Sequence, residues 1–473
     1  MPRLEPAACA TDALRAVDAT CYTFVGEEDW SEPNGTRVRI PVAVVTPERG
    51  AGEAPVFFFP GGPGYSILDH PDYIARLRAD VGARPLVLMD HRGFRHAEPS
   101  LRCPDYAAVS PYHHVIHTPA ITSSLDPMVR AAAITPAVEA CHERLVAQGV
   151  AVPQYNSHAV SRDVDAIRRL LGHRRIDVFG SSTGSGTALL YLRYFPDRVR
   201  AVVFGWPWYN HLRNRPPVDE LYTAKQTFTD ALARCVAEDP RCRALHPAWL
   251  RAIDRARRTL DETPFVTTVE HEGAEVTLRF DGAAFLDTLY LFLAEEHGRL
   301  PALLAQIRSG DYAGLRDFFR VDRYDPPAEA PRYALGYFLA HVCNDMGEHR
   351  PTREDSLAAI RREPAVLGFE PPWLCAWWGS DGDVPPEHND PVASDVPALA
   401  IHGQLDPCCG TRWSERVAET LPNLRIVELQ GVGHSPTTEC RTALIRAFLA
   451  DPTAPLDDGC RDEVPLGPWQ LEP

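Results

Sequence analysis

The chain has no apolar run near the roughly 20 residues needed to span a bilayer, so no membrane helix is expected. It has no excess of positive charge. Lys and Arg number 48 against 64 Asp and Glu, a net charge of −16, which argues against nucleic acid or an anionic membrane as the main partner. Internal repeats and low-complexity tracts are missing, and a composition of 45% hydrophobic and 24% charged residues is that of a globular protein, not a disordered one. No CxxC pair has a matching second pair, so a structural zinc site is not expected. No Gly-Lys-Ser/Thr follows a glycine-rich turn, which excludes a phosphate loop. The first residues, Met1 to Pro6, show no basic stretch followed by an apolar one. No secretory signal is visible, leaving either a cytosolic protein or one read without its leader.

Cysteine is present in unusual number. Twelve are too few for a disulfide scaffold and many for a reduced cytosolic enzyme. Ten fall in near pairs along the chain: Cys9 and Cys21, Cys103 and Cys141, Cys235 and Cys242, Cys343 and Cys375, Cys440 and Cys460; Cys408 and Cys409 are adjacent. Both scattered buried thiols and several short-loop disulfides fit this spacing, and connectivity stays open.

Up to about residue 206, short apolar runs closed by Gly, Asp or Pro alternate with helical patterns. Val56–Phe59, Leu86–Met89, Ile176–Phe179 and Val199–Phe204 read as parallel strands buried on both faces. Across Asp163–Leu171 the spacing predicts an amphipathic helix, with Val164, Ile167, Leu170 and Leu171 on the inner face and Asp163, Arg168 and Arg169 facing away. From 207 to 395 helical patterns dominate, as in Leu221–Val236, Ala248–Leu260 and Gly282–Leu293, suggesting an inserted cap. From 396 the strand rhythm returns with Ala398–Ile401 and Leu424–Leu429, before a final helix over about Thr442–Leu449. The expectation is one α/β, doubly wound, mostly parallel sheet interrupted by a largely helical cap.

Gly180-Ser181-Ser182-Thr183-Gly184 is the only G-x-S-x-G in the chain, and it lies between a strand and a helix. A strand–turn–helix of this kind lifts a serine hydroxyl to the carboxyl edge of the sheet and points a helix N-terminus at a developing oxyanion. A serine hydroxyl is a weak nucleophile at neutral pH, so it needs a base and a group that orients the base. Among 18 histidines, His434 follows the strand Leu424–Leu429, and Asp406 follows the strand Ala398–Ile401. They give the order Ser, acid, His. Asp406 stands 224 residues beyond Ser182, a gap the cap explains. His402 and His341 are the competing histidines. Pro60-Gly61-Gly62-Pro63-Gly64 offers a rigid loop whose Gly62 amide, with that of Thr183, would form an oxyanion hole. Neither a metal nor an organic cofactor is needed for this chemistry.

Together these residues resemble the α/β-hydrolase family of proline iminopeptidases and tripeptidyl aminopeptidases. Pro60–Gly64 is similar to the family's oxyanion loop in its tripeptidyl form. Asp90-His91-Arg92-Gly93 through Cys103 is similar to its acidic-arginine-glycine turn, and Tyr155–Gly172 to the helix before the elbow. Gly403 with Asp406 and Gly433 with His434 resemble its acid and base motifs, and Cys440 with Cys460 its closing cysteines. The sequence departs at Arg95, Ala97, Ser181 and Thr183, where the family usually has glycine, serine, glycine and an aromatic. The resemblance implies a hydrolase core over 1–206 and 396–473, the latter TAP-like, with the cap over 207–395. It implies a serine aminopeptidase acting on short peptides, an esterase or amidase on a small non-peptide being the alternative and a non-catalytic binding protein the last. In the cap, Asp345 and Glu348 are candidates to bind a substrate amine, and Trp206, Trp208, Trp373, Trp377 and Trp378 to wall an apolar pocket. The family is often exported, so the pairs 103/141, 343/375 and 440/460 lean toward disulfides and an extracytoplasmic protein. Small peptide or acyl substrates are the expected partners, and the oligomeric state is unread.

Overall fold

The structure is a computed structural model of the chain. It describes all residues except 33–34, 47–52, 108–126, 210–218, 246–247, 272–273, 283–284, 287–288, 290–296, 310–333, 363–370, 435–437, 463–468 and 471–473. Eleven strands are formed among the described residues: β1 (Arg3–Pro6), β2 (Thr20–Glu27), β3 (Arg37–Val45), β4 (Val56–Phe59), β5 (Leu86–Met89), β6 (Ile176–Ser181), β7 (Val199–Gly205), β8 (Phe265–His271), β9 (Ala274–Phe280), β10 (Ala398–Gly403) and β11 (Leu424–Leu429). Nine of them make one sheet in the order β1-β2-β3-β5-β4-β6-β7-β10-β11. From β5 to β11 every neighbour is parallel, while β1, β2 and β3 add an antiparallel edge.

The six short apolar runs of the sequence are the six parallel strands. β4 and β5 are wholly apolar and buried because helices cover both faces, whereas the edge strand β11 carries Arg425 and Glu428 at half-buried positions. Along β4, Val56 and Phe58 join one hydrophobic cluster, with Ile74 and Leu77 of helix Pro71–Val81 and Leu444 and Phe448 of helix Glu439–Ala450. Phe57 and Phe59 join the other, with Val164 and Ile167 of helix Ser157–Leu170 and Leu189 and Leu192 of helix Gly184–Tyr194.

Helix Ser157–Leu170 corrects one expectation. Val164 and Ile167 are buried as predicted, but so are Asp163 and Arg168, whereas Leu170 is exposed. Asp163 takes a bidentate ion pair from Arg92, through Nε at 2.7 Å and Nη2 at 2.7 Å. The remaining Arg92 donors go to the carbonyls of Glu27, Glu28 and Gln154. Helical periodicity treats a charge as a solvent mark and has no knowledge of an arginine arriving from a distant turn.

Between β7 and β10, which are adjacent in the sheet, the chain makes a long excursion. It includes helices Asp219–Glu238, Pro240–Leu245, Ala248–Glu262, Leu300–Ser309, Leu335–Asp345, Arg353–Arg362 and Cys375–Trp378, and the hairpin β8–β9. The expected helix Gly282–Leu293 falls largely outside the described residues. The excursion shares a hydrophobic cluster with helix Pro127–Ala147, which lies between β5 and β6. Ile134, Val138 and Leu145 there meet Phe338, Ile360, Trp373 and Trp378. All five near pairs of cysteines are disulfide-bonded, with Cα separations of 5.1 to 5.7 Å. Cys103–Cys141 and Cys343–Cys375 both lie in that shared cluster. Five disulfides are consistent with an oxidising, extracellular setting. Among the described residues no helix is long and apolar enough to cross a membrane.

Candidate active site

Ser182 stands at the end of β6 with φ +52°, a left-handed conformation that costs a non-glycine residue about 1–3 kcal/mol unless its surroundings enforce it. Here they do. The Ser182 amide donates to the Gly205 carbonyl on β7 at 2.9 Å, and its carbonyl accepts from the amides of Ser185 at 2.9 Å and Trp208 at 3.1 Å. Gly184 has to be glycine, because a Cβ there would collide with the carbonyl oxygens of Phe59 and Pro60. The loop after β4 thereby closes on the elbow, and a Cβ built on Gly61 would lie 2.9 Å from that of Ser182. Gly62 follows with φ +121°, which a side chain rarely adopts. Among the described residues neither the Gly62 nor the Thr183 amide has a hydrogen-bond acceptor in the protein. The Thr183 hydroxyl is likewise buried without a partner.

Asp406 and His434 leave the ends of β10 and β11, the next strands beyond β7. Their loops are tied together by hydrogen bonds from Gln404 N to Leu429 O at 3.0 Å and from Leu405 N to Val432 O at 2.9 Å. His434 Nδ1 donates to Asp406 Oδ2 at 2.9 Å. The other carboxylate oxygen, Oδ1, accepts from the amides of Cys408 at 2.9 Å and Cys409 at 3.0 Å. The Asp406 side chain is fully buried, while that of His434 is 31% exposed. Asp406 is therefore fixed and shielded, and His434 keeps one edge toward solvent. Sequence patterns carry no trace of the two amides that hold Asp406, since backbone donors have no side-chain signature; only a tight turn after the acid would hint at them.

Trp206 follows β7 with φ +40°. Its ring packs edge-on against the His434 ring at 6.3 Å, and the Arg441 guanidinium sits over it at 5.3 Å. The Trp206 ring thus packs between the His434 imidazole and the Arg441 guanidinium.

The structure holds two other candidate residues within the fold. Asp345 is buried, with Oδ1 accepting from the Ser157 amide at 2.7 Å and Oδ2 from the Ser157 hydroxyl at 2.6 Å. His388 and His341 approach it at 3.3 and 3.6 Å. Burial alone would push its pKa up, but His341, His388 and the Ser157 hydroxyl hold it well below the carboxylate range. A carboxylate so engaged caps the helix that starts at Ser157. Trp378 is buried and packs on His142 at 5.2 Å inside the shared cluster, a core position, as is that of Trp373. Trp208 and Trp377 are buried in the same cluster. Glu348 falls in the turn Gly347–His349, and its side chain lies outside the described residues.

The competing histidines are engaged elsewhere. His402 bonds the Cys409 carbonyl at 2.7 Å and Ser414 Oγ at 2.8 Å. His341 Nδ1 bonds the Tyr337 hydroxyl at 3.0 Å.

Residues 54–240 match the family model described as alpha/beta hydrolase fold, and residues 369–460 match that of the TAP-like proteins. A tripeptidyl aminopeptidase of Streptomyces lividans is 28% identical over 204 residues, 41% of this chain and 36% of the relative, and one of Streptomyces coelicolor matches to the same extent. The match thus spans about a third of the length of these curated relatives. A solved proline iminopeptidase of Mycobacterium smegmatis aligns over 88% of this chain and 95% of its own at 15% identity, with a TM-score of 0.40. An esterase of Exiguobacterium antarcticum aligns over 88% and 96% at 11% identity, with a TM-score of 0.38. Scores this low say nothing of activity. Its sheet order and the two matching segments give the chain an α/β-hydrolase fold, with a C-terminal region similar to the TAP-like proteins.

Proposed function

We propose that the protein is an extracytoplasmic serine hydrolase of the aminopeptidase kind, acting on short peptides. The observation that carries this reading is the 2.9 Å hydrogen bond between His434 and Asp406, placed two and three strands from an enforced left-handed serine on the same sheet edge. In the proposed mechanism Asp406 holds the proton of His434 on Nδ1, leaving Nε2 to take that of Ser182 as the hydroxyl attacks a carbonyl carbon. The Gly62 and Thr183 amides meet the oxyanion. The imidazolium then returns its proton to the departing amine, and water releases the acyl group in a second round. The pairing of cysteines and the tripeptidyl aminopeptidase relatives support the location and the peptide substrate. With Asp345 engaged elsewhere, Glu348 is the acid of that pair left to receive a substrate's α-amine.

Fluorophosphonate labelling tests the reaction class. Wild type takes one label, and Ser182→Ala takes none; equal labelling of both ends the reading. A panel of tripeptidyl and aminoacyl anilides against simple acyl esters tests the substrate. The aminopeptidase reading expects N-acetylation of a cleaved peptide to slow its hydrolysis by an order of magnitude or more. Preference for esters with no effect of acetylation would replace it with the esterase alternative.

A further inference from the structure

Beside the catalytic acid lie two thiols that acyl transfer does not use. Cys408 and Cys409 stand outside the five disulfides. The turn that brings their amides onto Asp406 also brings their sulfurs toward the base. One atom from each of Cys408 Sγ, Cys409 Sγ, the Asp406 carboxylate and the His434 imidazole lies within 4.8 Å of all the others. In a tetrahedral zinc site the bonds run about 2.0–2.3 Å, so donors sit about 3.3–3.8 Å apart, and small side-chain rotations close the difference. Two thiols, an imidazole and a carboxylate form a donor set for a borderline-soft divalent cation. Cys409 is buried, Cys408 is half-buried and His434 has its exposed edge, so an ion has a way in from solvent.

We propose that Zn2+ binds at Asp406, Cys408, Cys409 and His434 and reversibly switches off the hydrolase. As each sulfur–zinc bond forms, the thiol releases its proton to solvent, and no oxidant or reductant is involved. Coordination of His434 through either ring nitrogen disables the base. Through Nδ1 it displaces the bond to Asp406 and leaves the proton on Nε2, the nitrogen that the proposed mechanism needs free. Through Nε2 it consumes the lone pair that accepts the Ser182 proton. The site itself stands on the four donors alone; only its effect on activity rests on the hydrolase reading.

The test begins with Ser182→Ala, in which binding is independent of catalysis. Zn2+ titrated by calorimetry binds once per chain, and Co2+ in its place gives a thiolate charge-transfer band in the near ultraviolet. Cys408→Ser/Cys409→Ser weakens binding by more than about 100-fold, beyond the range of outer-shell changes. In wild type Zn2+ shields both thiols from iodoacetamide, a readout that stands even if the double variant folds poorly. Fluorophosphonate labelling falls as the site fills and returns with a chelator. No thiolate band, no shielding, or binding undiminished in a folded double variant overturns the site. A thiolate band with no labelling of the metal-free wild type keeps the site and removes the hydrolase reading instead.

Discussion

Asp406→Asn probes the catalytic arrangement with the least disturbance. In the native carboxylate, Oδ1 accepts two backbone amides and Oδ2 accepts His434 Nδ1. Asparagine has one acceptor oxygen, and the amides of Cys408 and Cys409 claim it, because an NH2 group in that place would face two other donors. The NH2 is then directed at His434, whose Nδ1 must accept. The imidazole proton moves to Nε2, and the ring can no longer take a proton from Ser182. The same exchange in a serine-protease triad lowers kcat about 10^4-fold through the wrong tautomer. At 1.36 kcal/mol per decade that is about 5 kcal/mol of lost transition-state stabilisation. Since both amides keep their partner, the folding midpoint should move by less than about 1 kcal/mol, within the net worth of one hydrogen bond. Asp406→Ala is the contrast: it strands two buried amides and should cost about 1–3 kcal/mol of stability as well. The assay is steady-state hydrolysis of the best anilide or ester, with the fluorophosphonate labelling rate and thermal denaturation measured on the same preparations. A folded Asp406→Asn enzyme that loses less than tenfold would refute the claim that Asp406 sets the tautomer of His434.

Two further predictions concern the scaffold. His91 is buried between the Phe59 and Phe94 rings, and burial pushes its pKa down from 6.5 to about 3. A depressed folded-state value means stability present above the unfolded value and lost as pH falls from about 6.5 toward 3, up to about 4–5 kcal/mol at 1.36 kcal/mol per unit. His91→Phe should lack that increment, so that urea midpoints of the two proteins diverge on acidification; parallel pH profiles would contradict it. The Cys343–Cys375 bridge closes a loop with a sequence separation of 32, for which chain entropy gives about 3–4 kcal/mol. Cys343→Ala/Cys375→Ala should lose stability of that order in urea, and an unchanged midpoint would show that the bridge constrains little.

Much of this was legible in the chain because parallel strands buried on both faces announce themselves. Val56–Phe59 is wholly apolar and Ile176–Phe179 carries one polar residue, the buried Asp177, and each ends where the proposed site begins. The positions of Ser182, Asp406 and His434 followed from strand ends and chain order. The antiparallel edge β1–β3 was not read, because β1 and β2 show no clean alternation and β3, though it alternates, forms no continuous apolar run of the kind that marks the parallel strands. Asp163 and Asp345 were misread for a common reason. Their partners, Arg92 and Ser157, are 71 and 188 residues away, and a carboxylate's burial is decided by such partners rather than by its neighbours in sequence. Trp378 is core because helix Pro127–Ala147, inserted before the elbow, supplies the rest of the cluster, and nothing in the 207–395 segment points to it.

That shared cluster bears on how the site is held. Three parts of the proposed catalytic arrangement are reached by bonds from the segment between β7 and β10, two directly and one through Ser157. Thr227 Oγ1, in helix Asp219–Glu238, donates to the Asp406 carbonyl at 3.1 Å. The Ala334 amide, at the start of helix Leu335–Asp345, donates to the Gly64 carbonyl of the oxyanion loop at 3.0 Å. Asp345, at the end of that helix, holds Ser157, whose hydroxyl lies 3.1 Å from that of Thr187 in the helix behind the nucleophile. Bonds of this kind are worth about 0.5–1.5 kcal/mol each, too little to fold the sheet. Geometry is more demanding than stability, since a 1 Å misplacement can cost about 10^2 in rate. The excursion is thus more than a cover over the sheet edge: it ties the loops of Asp406 and Gly62 and the helix after Ser182 to one body, within which Cys235–Cys242 and Cys343–Cys375 close two loops.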